Sequence, residues 1–128
     1  MNDRARFEVD QLLSLFLGCT FLGTGVAKIS STDFIVATFG TSSWPAGLLM
    51  VLGLLEIAAA VLTIIPTTRL SGSVVIGLVM LGAMSYHLVR GEFVQLMLPL
   101  TLLVAAGSLA LLERRGVDKP ALQPVSNR

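Results

Sequence analysis

Three ionisable side chains stand in otherwise apolar stretches of the sequence, and they are the first candidates for chemistry. Glu56 lies inside an apolar run, whereas Lys28 and His87 each lie near the end of another run. A carboxylate deep in such a run costs a few kcal/mol unless it is paired, hydrated or protonated. A carboxyl group, an amine and an imidazole could bind a polar headgroup or exchange a proton. The competing interpretation is structural: Glu56 and His87 would only hydrogen-bond between helices, and Lys28 would extend to the lipid headgroups.

The composition indicates that these side chains work in a lipid environment. The 128 residues are 54% hydrophobic and 13% charged, and the mean hydropathy of +0.83 exceeds that of soluble domains. The net charge of +1 provides no basic surface for nucleic acid. Cys19 is the only cysteine and His87 the only histidine, which excludes a dithiol redox pair and a bis-histidine haem site within one chain.

Charged residues divide the chain into four apolar stretches of membrane-spanning length. The predicted spans cover residues 11–29, 46–65, 70–89 and 94–112, and each is near the roughly 20 residues that a helix needs to cross a bilayer. None of them shows the apolar and polar alternation of a barrel strand. The sequence therefore predicts an all-α membrane protein, in which residues 1–113 form a single antiparallel up-and-down bundle of four transmembrane helices.

Two further segments lie outside the predicted spans. Residues 34–39 follow an N-cap pattern and stop at Gly40, which predicts a short interfacial helix between the first and second spans. Residues 114–128 are charged and contain proline, so we expect a disordered cytoplasmic tail. Most cations flank one side of the bundle, and the positive-inside rule then predicts that both termini are cytoplasmic.

This topology brings the polar residues of the outer half together in a predicted cavity that opens outward. Its candidate ligand-binding residues are Lys28, Glu56, Tyr86, His87, Arg90 and Gln95. Glu56 is expected roughly 10 Å deeper than the others at 1.5 Å per residue. It would then lie beyond direct contact unless Lys28 bends down or water intervenes. No catalytic residue and no metal ligand is assigned.

Three short motifs occur in order along the first three spans. They are Gly25-Val26-Ala27-Lys28, Gly53-Leu54-Leu55-Glu56 and Gly82-Ala83-Met84-Ser85-Tyr86-His87. Together with Pro66 and Pro99 they resemble the DoxX-like family of small four-helix bacterial membrane proteins, over roughly residues 8–113. The resemblance implies a bundle in the bacterial cytoplasmic membrane. It also implies recurring polar positions at Lys28, Glu56 and His87, in a family whose namesake is associated with a thiosulfate:quinone oxidoreductase.

Three functions are compatible with this sequence. The first is a membrane subunit or accessory protein of a redox or stress-related system, with a redox protein partner and a quinone or other small ligand in the cavity. The second is a small proton-coupled transporter that acts as a homo-oligomer. The third is a non-catalytic membrane assembly protein. With no cofactor motif, the sequence favours a role other than that of an enzyme acting alone, and it leaves catalysis open.

Overall fold

The computed structural model describes residues 3–30 and 46–117, which form four α-helices. These are α1 (Asp3–Ser30), α2 (Ala46–Ile64), α3 (Arg69–Arg90) and α4 (Met97–Val117). The two described ranges contain no strand, so the predicted all-α class with four long apolar helices is confirmed. The predicted interfacial helix over residues 34–39 lies outside the described residues, as do residues 118–128 of the predicted tail.

All four helices are long and apolar enough to cross a membrane. Much of their apolar surface faces outward: Leu12, Val51, Leu78 and Val104, one from each helix, are all more than half exposed. A water-soluble bundle rarely presents so much contiguous apolar surface. The prediction of a multi-pass membrane protein is confirmed, and the environment of these faces is the lipid bilayer.

The helices pack in a ring in which α1 and α3 each contact both α2 and α4. The side chains at its centre are small or medium-sized, apart from one Phe. They are Leu17, Phe21, Ala59, Ala60, Ile76, Met80, Leu102, Ala106 and Leu109. Because lipid is as apolar as these side chains, close packing and polar contacts hold the helices together, rather than exclusion from lipid.

α1 and α2 touch through their backbones at a pair of glycines. A Cβ atom on Gly25 would lie 2.7 Å from the carbonyl oxygen of Gly53, and a Cβ atom on Gly53 would lie 2.8 Å from that of Gly25. Any larger residue at either position would push the helices apart. The contact fixes the register of the two helices, and with it the relative positions of Lys28 and Glu56.

α2 and α3 meet in a similar way near the short connection between them. A Cβ atom on Gly72 would overlap both the backbone and the hydroxyl group of Thr63. The Thr63 hydroxyl is fully buried and donates to the carbonyl oxygen of Ala59 at 2.7 Å. The two helices are therefore in backbone contact at this end of the bundle.

Arg69 connects all four helices at the same end. From the first turn of α3, its guanidinium group donates to the carbonyl oxygen of Thr63 on α2 at 3.4 Å and to Gln11 Oε1 on α1 at 3.5 Å. It also pairs with Glu113 Oε1 on α4 at 3.1 Å, and its side chain is only 5% exposed. Nothing in the spacing of the residues predicted this network.

Candidate functional site

A cavity of about 600 Å³ lies in the half of the bundle that is remote from Arg69, and all four helices line it. Five of the six predicted site residues contribute to its wall: Lys28, Glu56, Tyr86, His87 and Gln95. Arg90 is outside the lining. Most of the remaining wall is apolar, with Phe21, Met80 and Leu102 among its members. Ligand sites in proteins usually have this size and this ratio of apolar to polar groups.

The first polar group of the cavity is a buried ion pair between α1 and α2. Lys28 Nζ donates to both carboxylate oxygens of Glu56, at 2.9 and 2.8 Å. Glu56 is only 4% exposed, and the Thr24 hydroxyl donates a third hydrogen bond to it at 3.1 Å. A buried carboxylate is tolerated when it is both paired and hydrogen-bonded. The pair has no net charge, so this part of the wall is polar and neutral.

The sequence left direct contact between Lys28 and Glu56 dependent on a bend in Lys28 or on water. The structure shows that Lys28 reaches the carboxylate directly. A Cβ atom on Gly53 would lie 3.1 Å from Cβ of Lys28, so the stem of Lys28 starts beside the residue three positions before Glu56. Helical side chains lean toward the start of their own helix. Lys28 therefore leans back along α1, and Glu56 leans toward the start of α2.

Thr24 is a further candidate site residue, which was not predicted from the sequence. Its spacing of four residues from Lys28 puts both side chains on one face of α1. This spacing is the feature of the sequence that could have identified Thr24 as a neighbour of the site. Its partner could not be read from spacing, because the hydrogen bond to Glu56 depends on how α1 and α2 are aligned.

The second polar group of the cavity is centred on His87. Its Nδ1 lies 2.8 Å from Glu92 Oε2, and Arg90 Nε donates to the other carboxylate oxygen of Glu92 at 2.7 Å. The ring of Tyr86 meets His87 edge-on at 5.4 Å between centroids, and the Arg90 guanidinium lies 5.5 Å from the centre of the Tyr86 ring. Arg90 thus stays outside the cavity and acts on its wall through Glu92 and Tyr86.

Gly91 brings Glu92 back over the last turn of α3. Its φ of 68° is in the left-handed region that favours glycine, and it ends the helix. The amide of Glu92 then donates to the carbonyl oxygen of His87 at 2.9 Å. With its carboxylate at Nδ1, Glu92 orients the imidazole and favours a proton on Nδ1. Nε2 has no hydrogen bond to any residue in the described ranges and is the ring nitrogen through which His87 could meet a ligand.

The pKa of Glu92, which lies between two spans, is lowered from its usual value of 4.5. The hydrogen bond from Arg90 is the larger cause and the one from His87 the next. Because the folded-state pKa is the lower one, the stabilisation from this carboxylate is fully present above 4.5. It is lost as the pH falls through the folded value.

We therefore expect a ¹³C NMR titration of the Glu92 carboxyl group to give a midpoint below 4.5. Arg90→Gln should raise this midpoint more than His87→Gln does, because Arg90 is the larger cause. Ser85 is exposed on α3, the helix that carries His87 and Arg90, so Ser85→Ala should leave the Glu92 midpoint unchanged. A midpoint that does not respond to Arg90→Gln would contradict the assignment.

The two polar groups can hold a ligand, but they do not form a recognisable metal site. Within residues 3–30 and 46–117, no group of three His, Cys, Asp or Glu side chains is placed to bind a metal ion. The cavity offers an ammonium–carboxylate pair, a hydroxyl group and an imidazole among apolar side chains. This combination suits a neutral molecule with carbonyl or hydroxyl oxygens.

Four membrane-spanning helices around a cavity with a few polar groups define a small multi-pass membrane protein. A model of the DoxX-like family matches residues 12–109, which is well over half of the chain. The chain therefore belongs to the DoxX-like family, and the resemblance inferred from its motifs is confirmed. No curated protein and no solved structure matches the chain.

Proposed function

We propose that the protein binds a neutral, quinone-like ligand in this cavity and serves as a membrane subunit or accessory protein of a redox system with a protein partner. The observation that carries the proposal is that the Lys28–Glu56 pair and the Glu92-oriented His87 line one and the same apolar cavity. A quinone needs hydrogen-bonding groups beside an apolar slot, and both are present here.

Each polar group has a defined part in this proposal. Lys28 is a donor suited to a carbonyl oxygen, and the Thr24 hydroxyl, which donates its proton to Glu56, can accept a hydrogen bond from a hydroxyl group. Glu56 keeps the local charge at zero while it orients both. His87 would accept a hydrogen bond from a hydroxyl group through Nε2, or donate one to a carbonyl oxygen when protonated. The apolar wall excludes water and strengthens these contacts. These roles concern binding and orientation, and the proposal includes no redox step.

The proposal includes the predicted topology: antiparallel helices, cytoplasmic termini and a place in the bacterial cytoplasmic membrane. The contact between Arg6 near the start of α1 and the Leu112 carbonyl near the end of α4 supports helices that run in opposite directions. The four residues between α2 and α3 are also too few for two parallel neighbours. Arg4, Arg6 and Arg69, with the cations that follow residue 112, support the orientation.

The test is quinone binding by the full chain in lipid nanodiscs. We expect the wild type to bind a benzoquinone, and Glu56→Gln and His87→Ala each to weaken binding at least about tenfold, or about 1.4 kcal/mol. Glu8→Gln and Ser85→Ala, which change exposed residues outside the cavity, serve as controls. Both variants should bind the quinone like the wild type. Equal binding by the wild type and both site variants, or no binding at all, would rule out this site.

A role in membrane assembly is the second candidate, and the bonds from Lys28 and Thr24 to Glu56 favour it because they link α1 to α2. In that case Glu56→Gln would change stability or partner recovery and leave quinone binding absent in every variant. A proton-coupled transporter acting as a homo-oligomer is the remaining alternative. It would have to displace Lys28 from both oxygens of Glu56, and Glu56-dependent ion flux in proteoliposomes would support it.

A further inference from the structure

The apolar wall of the cavity continues to the lipid-facing surface between α2 and α3. Leu48 and Leu55 of α2 line the cavity and are 44% and 42% exposed. Leu78 of α3 also lines it and is 64% exposed. Side chains that both line a cavity and lie on the outer surface form its rim. These three residues therefore mark an apolar part of the rim that faces the bilayer. Leu98 of α4, 49% exposed, and the exposed Gln95 also line the cavity and form another part of its rim.

Two glycines of α3 show where this helix has close neighbours and where it has open space. α2 and α3 are in backbone contact where Gly72 faces Thr63. Further along α3, a Cβ atom on Gly82 would meet nothing within 4 Å, although Gly82 lines the cavity. The two helices are thus in contact at one end, and open space lies beside Gly82 at the level of the cavity. We call the space bounded by Leu48, Leu55, Leu78 and Gly82 the α2–α3 gap.

We propose that the ligand enters sideways from the bilayer through the α2–α3 gap, and that it is a neutral amphiphile with one long apolar tail. Its headgroup lies near Glu56 and His87, while its tail extends through the gap into lipid. This inference rests on the proposed function and adds the ligand's class and its route.

Entry from the bilayer is favoured because entry from the aqueous side would expose the apolar tail to water. A long tail that entered from the aqueous side would have to expose its methylene groups to water. In the gap, the same tail passes from lipid to leucine side chains, which are equally apolar. The tail thus adds little affinity of its own, but it needs an unobstructed path. Blocking the gap should therefore harm tailed ligands and spare short ones.

The experiment compares two benzoquinones with the same headgroup, one with a ten-carbon tail and one without a tail. Binding to the full chain in nanodiscs is measured for the wild type, for Gly82→Leu and for Gly107→Leu. Both glycines have open space around them, but only Gly82 lines the cavity, so Gly107→Leu is the matched control. Leu78→Trp is a second blocking variant in case Gly82→Leu fails to fold, as judged by gel filtration.

We expect Gly82→Leu and Leu78→Trp to weaken binding of the tailed quinone at least about tenfold. Binding of the tailless quinone should change less than about threefold, and Gly107→Leu should resemble the wild type. If the blocking variants bind both quinones like the wild type, lateral entry is wrong and the headgroup site stands. If they weaken both quinones equally, the gap has no selective role for the tail, and the inference also fails. If the wild type binds neither quinone, the proposed function fails and the inference fails with it.

Discussion

Replacing Lys28 with methionine should lower the free energy of unfolding by about 3 kcal/mol. Removing one partner of a buried ion pair typically costs about 3–5 kcal/mol, because the other charge stays buried without compensation. Glu56 would remain in the bundle with only the hydroxyl group of Thr24 as a partner among the described residues. The lower end of the range applies, since a carboxyl group that loses its cation can become neutral by binding a proton. Reversible unfolding by SDS in mixed micelles measures the change.

The control for this prediction is the double variant Lys28→Met/Glu56→Met. Apolar side chains of similar volume often replace a buried ion pair at little cost, so the double variant should recover most of the lost stability. The double-mutant cycle then gives the coupling between the two residues. A double variant that is as unstable as Lys28→Met, or a single variant as stable as the wild type, would show that the ion pair does not hold α1 against α2.

Arg69→Leu is the second change with a large expected effect, a loss of about 3–5 kcal/mol in the free energy of unfolding. It removes bonds to α1, α2 and α4 at once and leaves Glu113 without its cation. Unlike Lys28, Arg69 contacts every other helix, so the variant should also unfold with lower cooperativity. SDS unfolding followed by circular dichroism measures both the midpoint and the steepness of the transition.

Two further variants test whether the loss of stability comes from the hydrogen-bond network of Arg69 or from its charge alone. Arg69→Lys keeps the charge but lacks the planar fork that reaches three helices, so it should recover only part of the stability. Arg4→Leu breaks an exposed pair with Glu8 and should cost less than about 0.5 kcal/mol. If Arg4→Leu and Arg69→Leu have equal effects, the loss comes from the reduced net charge and not from the network.

The number of spans was predictable because hydrophobic length alone determines it. Four apolar runs of about 20 residues leave little choice when every backbone group in lipid must be hydrogen-bonded within a helix. Glu56 was predictable as a special residue for a related reason, since a carboxylate in such a run needs a partner or a proton. The general location of the cavity followed from the order of the spans.

The contacts inside the site were not predictable, because they depend on the alignment of one helix with another. The bond from Lys28 to Glu56 follows from the backbone contact of Gly25 with Gly53. Many other small residues in the spans could have made such a contact, and the sequence does not single out these two. The orientation of His87 similarly depends on Glu92, which the turn at Gly91 brings back over α3.

The Arg69 network has a mechanical consequence for the cavity at the other end of the bundle. All four helices are tied together at Arg69, and α2 and α3 are also in contact at Gly72. A widening of the cavity that moves whole helices would therefore separate them at the cavity end, while they stay in contact at the Arg69 end. Since Lys28 and Glu56 clamp α1 to α2, the helices best able to move are α3 and α4, and His87 moves with α3.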